Sequence, residues 1–207
     1  MKALEKIFAA LALISLILKF KLTSGGDSLF MALTLLLACF YFALSVLLFN
    51  KIKFRDIIEN KFPQDTPVFR IALSVVTGLA ISIICTGIIF KLLSLVGGEQ
   101  MLTIGAGLSI IITLISIFNY IQSKESYYSS ILIRTIIFAV LGVFLRLTTN
   151  LDIIKYQYRN HPDYIQAYIN LEKDPMNEGL RKKLQLERYR IFLSEEELKI
   201  YKKKNGL

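Results

Sequence analysis

Apolar residues gather into five blocks, at 7–22, 29–49, 71–90, 101–118 and 131–147, with short polar stretches between them and a polar C-terminal segment behind. Each block approaches the roughly 20 residues that a helix needs to cross a hydrocarbon layer about 30 Å thick. None shows the roughly ten-residue alternation of a membrane β-strand. Backbone amides in lipid must bond within their own segment, so each block predicts a helix. The fold class that follows is all-α: a polytopic helical membrane protein with two tandem transmembrane hairpins, a fifth hydrophobic helix and a short helical polar tail. The transmembrane domain is expected over 1–150 and the tail over 151–207.

The polar residues between paired blocks repeat. Lys19, Gly25, Gly26 and Asp27 recur as Lys91, Gly97, Gly98 and Glu99, with five residues between lysine and glycine in each copy. Each copy joins two apolar blocks, which predicts one helical hairpin occurring twice. The glycines supply positive φ for a tight turn, and the acid then falls in the first turn of the returning helix, beside unpaired amides. The lysines can snorkel to the same interface and are spaced to pair with the acid across the turn. A functional alternative is that each lysine and its glycine-turn amides form an anion site for a phospholipid headgroup or a transported anion. The structural reading is preferred, because a double glycine at a membrane turn is common.

Within the blocks, Ser74, Gly78 and Ser82 recur every four residues, as do Gly105, Ser109 and Thr113. Such faces permit close helix approach in lipid, where packing and interhelical hydrogen bonds drive association. They predict contacts between hairpins or protomers, with a polar conduction path as the other reading. Lys2 and Lys6 ahead of the first block resemble a secretory leader. No small-x-small site precedes the polar turn, and the block is matched by 71–90, so it is expected to stay in the mature protein.

Composition agrees with the block pattern: 54% of the 207 residues are hydrophobic and 20% charged. The net charge of +9 does not imply nucleic-acid binding, because it is concentrated beside the spans and in the tail. Lys51, Lys53, Arg55, Lys61 and Arg70 fall between the hairpins, and twelve basic residues after Leu151 are interleaved with nine acids. Basic residues so placed set orientation and touch anionic lipid. They favour a cytoplasmic N terminus and connection, with the glycine turns outside. A spanning fifth block would then export the basic tail. Arg134 and Arg146 bracket only eleven residues of that block, so either it lies in the interface or the arginines snorkel and it just crosses. Spanning is preferred, and the side of the tail stays open.

Pro63 and Pro67 end any helix leaving the second block. The tail repeats apolar residues at helical spacing, with a break near Asp174, Pro175 and Gly179, and Ser194 before Glu195, Glu196 and Glu197 marks a helix start that ends at Lys202 to Lys204. Tyr156 and Tyr158 fit an interfacial aromatic belt. Cys39 and Cys85 read as small buried hydrophobes. The single histidine, His161, precedes Pro162 and reads as a turn residue.

Residues 86–109, TGIIFKLLSLVGGEQMLTIGAGLS, resemble the membrane hairpin of GldL, the inner-membrane component of the Bacteroidota gliding and type IX secretion motor. The matching positions are Gly87, Phe90, Lys91, Gly97, Met101, Leu102, Ile104, Gly105 and Gly107, while the first copy retains Lys19, Gly25 and Leu29. The resemblance implies a bacterial cytoplasmic-membrane protein. Two departures bear on mechanism. The turn lacks the family's His-Trp-Pro-Gly character, and Ser109 stands where the family has an intramembrane glutamate. No carboxylate lies inside any block, so a proton-driven motor is not expected.

The function expected is a non-catalytic multispanning scaffold or accessory component of a membrane complex, with membrane lipids and a protein partner or a second copy as partners. The alternative is a small-solute or lipid transporter or channel built on the two hairpins. It is disfavoured because neither hairpin offers a proline-broken span or a buried charge. Catalytic residues, metal ligands and cofactors are not expected, since no paired carboxylates or His and acid cluster occur.

Overall fold

A computed structural model describes residues 1–52, 55 and 66–205. Lys53, Lys61 and Pro63 lie outside the described residues. The fold is all-α, with nine helices and no strand among the described residues. α1 (Lys2–Phe20) and α2 (Gly26–Phe49) form one hairpin, and α3 (Val68–Leu92) and α4 (Gly98–Ser123) the other. α5 (Ser126–Leu147) turns straight back along α4, so the chain reaches the glycine-turn end of the bundle before the tail begins. α6 (Asn150–Gln157), α7 (Pro162–Lys173), α8 (Glu178–Phe192) and α9 (Glu195–Asn205) complete it.

α2, α3, α4 and α5 are each long and apolar enough to cross a membrane, which marks an integral membrane protein. The fifth block is the core of a 22-residue helix, because Tyr127, Tyr128, Ser129 and Ser130 continue it towards α4. At 1.5 Å per residue it spans about 33 Å, so its length no longer depends on snorkelling arginines. α1 has 19 residues and carries Glu5, Lys6 and Lys19. It starts five residues ahead of the apolar block that predicted it.

α3 is central, packed on α2, α4 and α5. Its glycine stripe explains the closeness to α2: a Cβ on Gly78 would stand 2.4 Å from the Tyr41 carbonyl oxygen. Ser74, on the same stripe, lies 3.0 Å from the Tyr127 hydroxyl and accepts from Asn50. Ser82 is only half-buried, and no interhelical bond forms there. The second stripe divides between two neighbours. Gly105 lies against Ile84 of α3, whereas Thr113 donates to Thr135 of α5 over 3.0 Å. Ser109 is fully buried, its hydroxyl without a hydrogen-bond partner among the described residues.

Two tail expectations, and one for α2, change in the structure. Tyr158 is 4% exposed and packs on Tyr164 at 4.0 Å between ring centroids. It belongs to a small tail core with Ile154, so burial pushes its phenol pKa up, and only Tyr156 faces outwards. Gly179 is inside α8, and the break runs over 174–177. Cys39 is exposed on α2 while Cys85 is buried, and both are free. His161 caps α7 ahead of Pro162. Lys202, Lys203 and Lys204 fall in α9.

Candidate functional site

Both hairpin turns are built alike from the backbone upward. At the end of α1, Leu22 has positive φ (54°), Thr23 N–H donates to the Leu18 carbonyl and Leu22 N–H to Lys19. At the end of α3, Ser94 (φ 55°), Leu95 N–H to Phe90 and Ser94 N–H to Lys91 repeat the pattern. This is the paired bonding of a Schellman cap, which satisfies the last carbonyls of a helix. Gly25 (φ 77°) and Gly97 (φ 97°) then reverse the chain in the left-handed region, where a Cβ is costly. Gly26 and Gly98 open the returning helices against the lysine backbone: a Cβ on Gly98 would stand 2.7 Å from Lys91 N. The two glycines of each pair therefore answer different constraints.

These caps place lysine and acid side by side. Lys19 Nζ lies 2.9 Å from Asp27 Oδ1, and Lys91 Nζ lies 2.8 Å from Glu99 Oε1. The ammonium groups belong to nearly enclosed residues, 3% and 2% exposed. A buried ammonium is held there by its paired carboxylate. In each turn an arginine from later in the chain reaches the other carboxylate oxygen. Arg188 of α8 lies 2.9 Å from Asp27 Oδ2, and Arg146 at the end of α5 lies 3.3 Å from Glu99 Oε2. The first lysine also donates to Gln157 Oε1 at 3.3 Å, and Gln157 Nε2 donates back to the Lys19 carbonyl at 3.4 Å. Both lysines are thus committed to internal partners, which removes the strongest element of an anion site from the turns. The sequence motif contains neither Arg146, Gln157 nor Arg188, because these positions have no periodic relation to the glycines.

A second cluster overturns the expectation that neither hairpin holds a buried charge, because Glu5 of the first hairpin is buried. Glu5 of α1 accepts from Tyr41 Oη of α2 at 2.6 Å and from Arg134 Nε and Nη2 of α5, each at 2.5 Å. Glu5 is 8% exposed, and the Arg134 guanidinium also covers the Phe49 ring at 5.6 Å. Tyr41 lies eight residues before the end of α2 and Arg134 eight after the start of α5. At 1.5 Å per residue that is about 12 Å inside both helix ends, and Arg134 stands three residues inside the apolar block 131–147. Charges there are expensive unless paired, and this pair draws a hydroxyl and Ser130 into the same network. The sequence signal is Arg134 itself, a cation inside an apolar block with no carboxylate on its own helix face. Glu5 carries no such signal, because it precedes the apolar run of α1.

Among the described residues no group of histidines, cysteines and carboxylates could hold a metal ion. No family model, curated protein or solved structure matches this chain.

Proposed function

We propose that this chain is a non-catalytic scaffold or accessory component of a membrane complex in a bacterial cytoplasmic membrane, related in its hairpins to GldL-like proteins. The observation that carries the reading is the attachment of the tail. Gln157 is bonded to Lys19 and Arg188 to Asp27, so α6 and α8 are held at the glycine-turn end of the bundle. A rigid bundle that presents charged helices at a fixed place suits assembly with a protein partner or a second copy. Ser109 at the family's glutamate position supports an accessory role over a motor role. The test is purification of the full-length chain and of a chain ending at Arg159 from native membranes, after crosslinking. The scaffold reading expects a stoichiometric complex that is lost on truncation. The same complex from the truncated chain would overturn it.

The Glu5, Tyr41 and Arg134 cluster favours one second reading, a transporter, since an intramembrane ionisable pair is the usual mark of an ion or proton path. Proteoliposomes separate the two. A transporter keeps its flux after tail truncation and loses it on Glu5→Gln, whereas a scaffold carries no flux with either chain.

A further inference from the structure

A cleft of 720 Å³ opens where α1 leaves the bundle, under the junction of α6 and α7. Its lower wall is apolar, formed by Leu16, Ile17 and Phe20 near the end of α1. Its upper rim is Lys21, Arg159, Asn160 and His161, and no carboxylate among the described residues lines it. Tyr156 joins the two, packed edge-on against Phe20 at 5.6 Å with the Arg159 guanidinium 5.9 Å above its ring. Lys21 and Arg159 are exposed, and neither makes an ion pair among the described residues. They contrast with Lys19 and Lys91, whose charges are answered within the fold.

The level of the cleft follows from the helices. Lys21 directly follows the last residue of α1. Below it Ile7, Leu11, Ile14 and Ile17 are exposed at 52%, 37%, 54% and 56%. Spacings of three and four residues set these side chains in one stripe that leads up to Lys21. A continuous apolar track thus ends beneath two unpaired cations, with an aromatic ring and amide donors between them. That order of chemistry, from acyl-compatible to anion-compatible across one helix end, is the order within an anionic glycerophospholipid.

We propose that the cleft between Phe20, Lys21, Tyr156 and Arg159 is a binding site for an anionic phospholipid, its phosphate on Lys21 and Arg159 and an acyl chain along the Ile14 and Ile17 face of α1. Arginine presents a fork that matches two phosphate oxygens, and lysine adds a point charge beside it. Asn160 and His161 supply further polar contacts to the glycerol headgroup. The site stands independently of the scaffold reading, because it needs no protein partner and none of the tail beyond His161 to hold the phosphate.

The test is native mass spectrometry of the full-length chain in neutral detergent, titrated separately with dioleoylphosphatidylglycerol, dioleoylphosphatidylcholine and inorganic phosphate. The expected result is retention of phosphatidylglycerol over phosphatidylcholine. Affinity should fall roughly fivefold for Lys21→Gln or Arg159→Gln and roughly thirtyfold for both together, on the scale of an interfacial cation beside anionic lipid. Lys21→Arg with Arg159→Lys should keep the lipid, and Lys182→Gln with Lys183→Gln, which removes equal charge elsewhere on the tail, should leave binding unchanged. Equal retention of both lipids by the unaltered protein would overturn the proposal, whatever the variants do. So would an equal loss in the Lys182 and Lys183 variant. Inorganic phosphate bound as tightly as phosphatidylglycerol would reassign the cleft to a free anion.

Discussion

The two hairpin turns share a backbone, a lysine and an acid, yet they differ in what completes them. Glu99 takes its arginine from the end of α5, which packs along its own helix α4. Asp27 takes its arginine from α8, 161 positions away, and Lys19 a glutamine from α6. The ion pairs of the second turn are therefore completed within the membrane bundle and those of the first by the tail, which meets the second turn only beside its ion pair, at Ser94 through Tyr168 and at Leu92 through Ile153. Duplication of a local motif reproduces the cap and the ion pair, because these depend on residues within one turn. It does not reproduce the outer partner, which depends on where the rest of the chain runs.

The largest expected effect separates the glycines. Gly98→Ala would press a Cβ to within 2.7 Å of Lys91 N, while at Gly26 the nearest backbone atom is the Leu18 carbonyl oxygen at 3.1 Å. Overpacking of this kind costs about 1–3 kcal/mol, so Gly98→Ala should fall near the top of that range and Gly26→Ala near the bottom. Thermal unfolding in detergent measures both, and equal losses would mean that the turns relax alike.

Next comes the tail's share. A chain ending at Arg159 keeps Gln157 but lacks Arg188 at the first ion pair and Tyr168 beside the second turn, and should quicken exchange at the amides of Gly25 to Ser28 more than at those of Gly97 to Gln100. Hydrogen exchange read by mass spectrometry decides it, and equal acceleration at the two turns would remove the distinction drawn above.

The arginines alone should matter less. Arg146 and Arg188 are half-exposed at their pairs, and exposed ion pairs contribute at most about 1 kcal/mol. Arg188→Gln and Arg146→Gln should each lower stability by less than that. Limited proteolysis between α7 and α8 should nevertheless quicken only for Arg188→Gln.

The smallest effect lies at the far end of the tail, where nothing from the bundle intervenes. Glu197 accepts from Ser194 N–H and from its hydroxyl at 2.9 Å each, which holds its carboxyl below the ordinary glutamate value. A carboxyl depressed in the folded state contributes stability above its unfolded pKa and loses it as pH falls through the folded value. Acidification below the usual carboxylate range should therefore fray α9 first, as a loss of helical signal that Glu197→Gln removes and Ser194→Ala, which keeps the backbone N–H, only weakens. Insensitivity of α9 to acid would show that this cap does not hold it.

Much of this architecture was legible in the chain because it is local. Block length and the double glycines announced the helices and their turns, and the eight-residue spacing from lysine to acid implied their pairing once a hairpin was drawn. The interfacial alternative for 131–147 arose from reading apolarity as the helix boundary: Tyr127 and Tyr128 extend the helix, with Tyr127 bonded to Ser74 and the Arg70 carbonyl. Tyr158 was assigned to a lipid belt on composition, but Tyr164 covers it.

By itself, the sequence determined that the chain enters the membrane as helices, where they begin to turn, and which lysine meets which acid, since lipid forces backbone satisfaction within each segment and a tight turn joins near neighbours. Only the tertiary structure decided that Glu5, Tyr41 and Arg134 of three helices meet, that the tail completes the ion pair of the first turn and not that of the second, and that Lys21 and Arg159 make no ion pair among the described residues. Those facts join residues more than a hundred positions apart, and no periodicity in a chain encodes which faces of separate helices will be brought together.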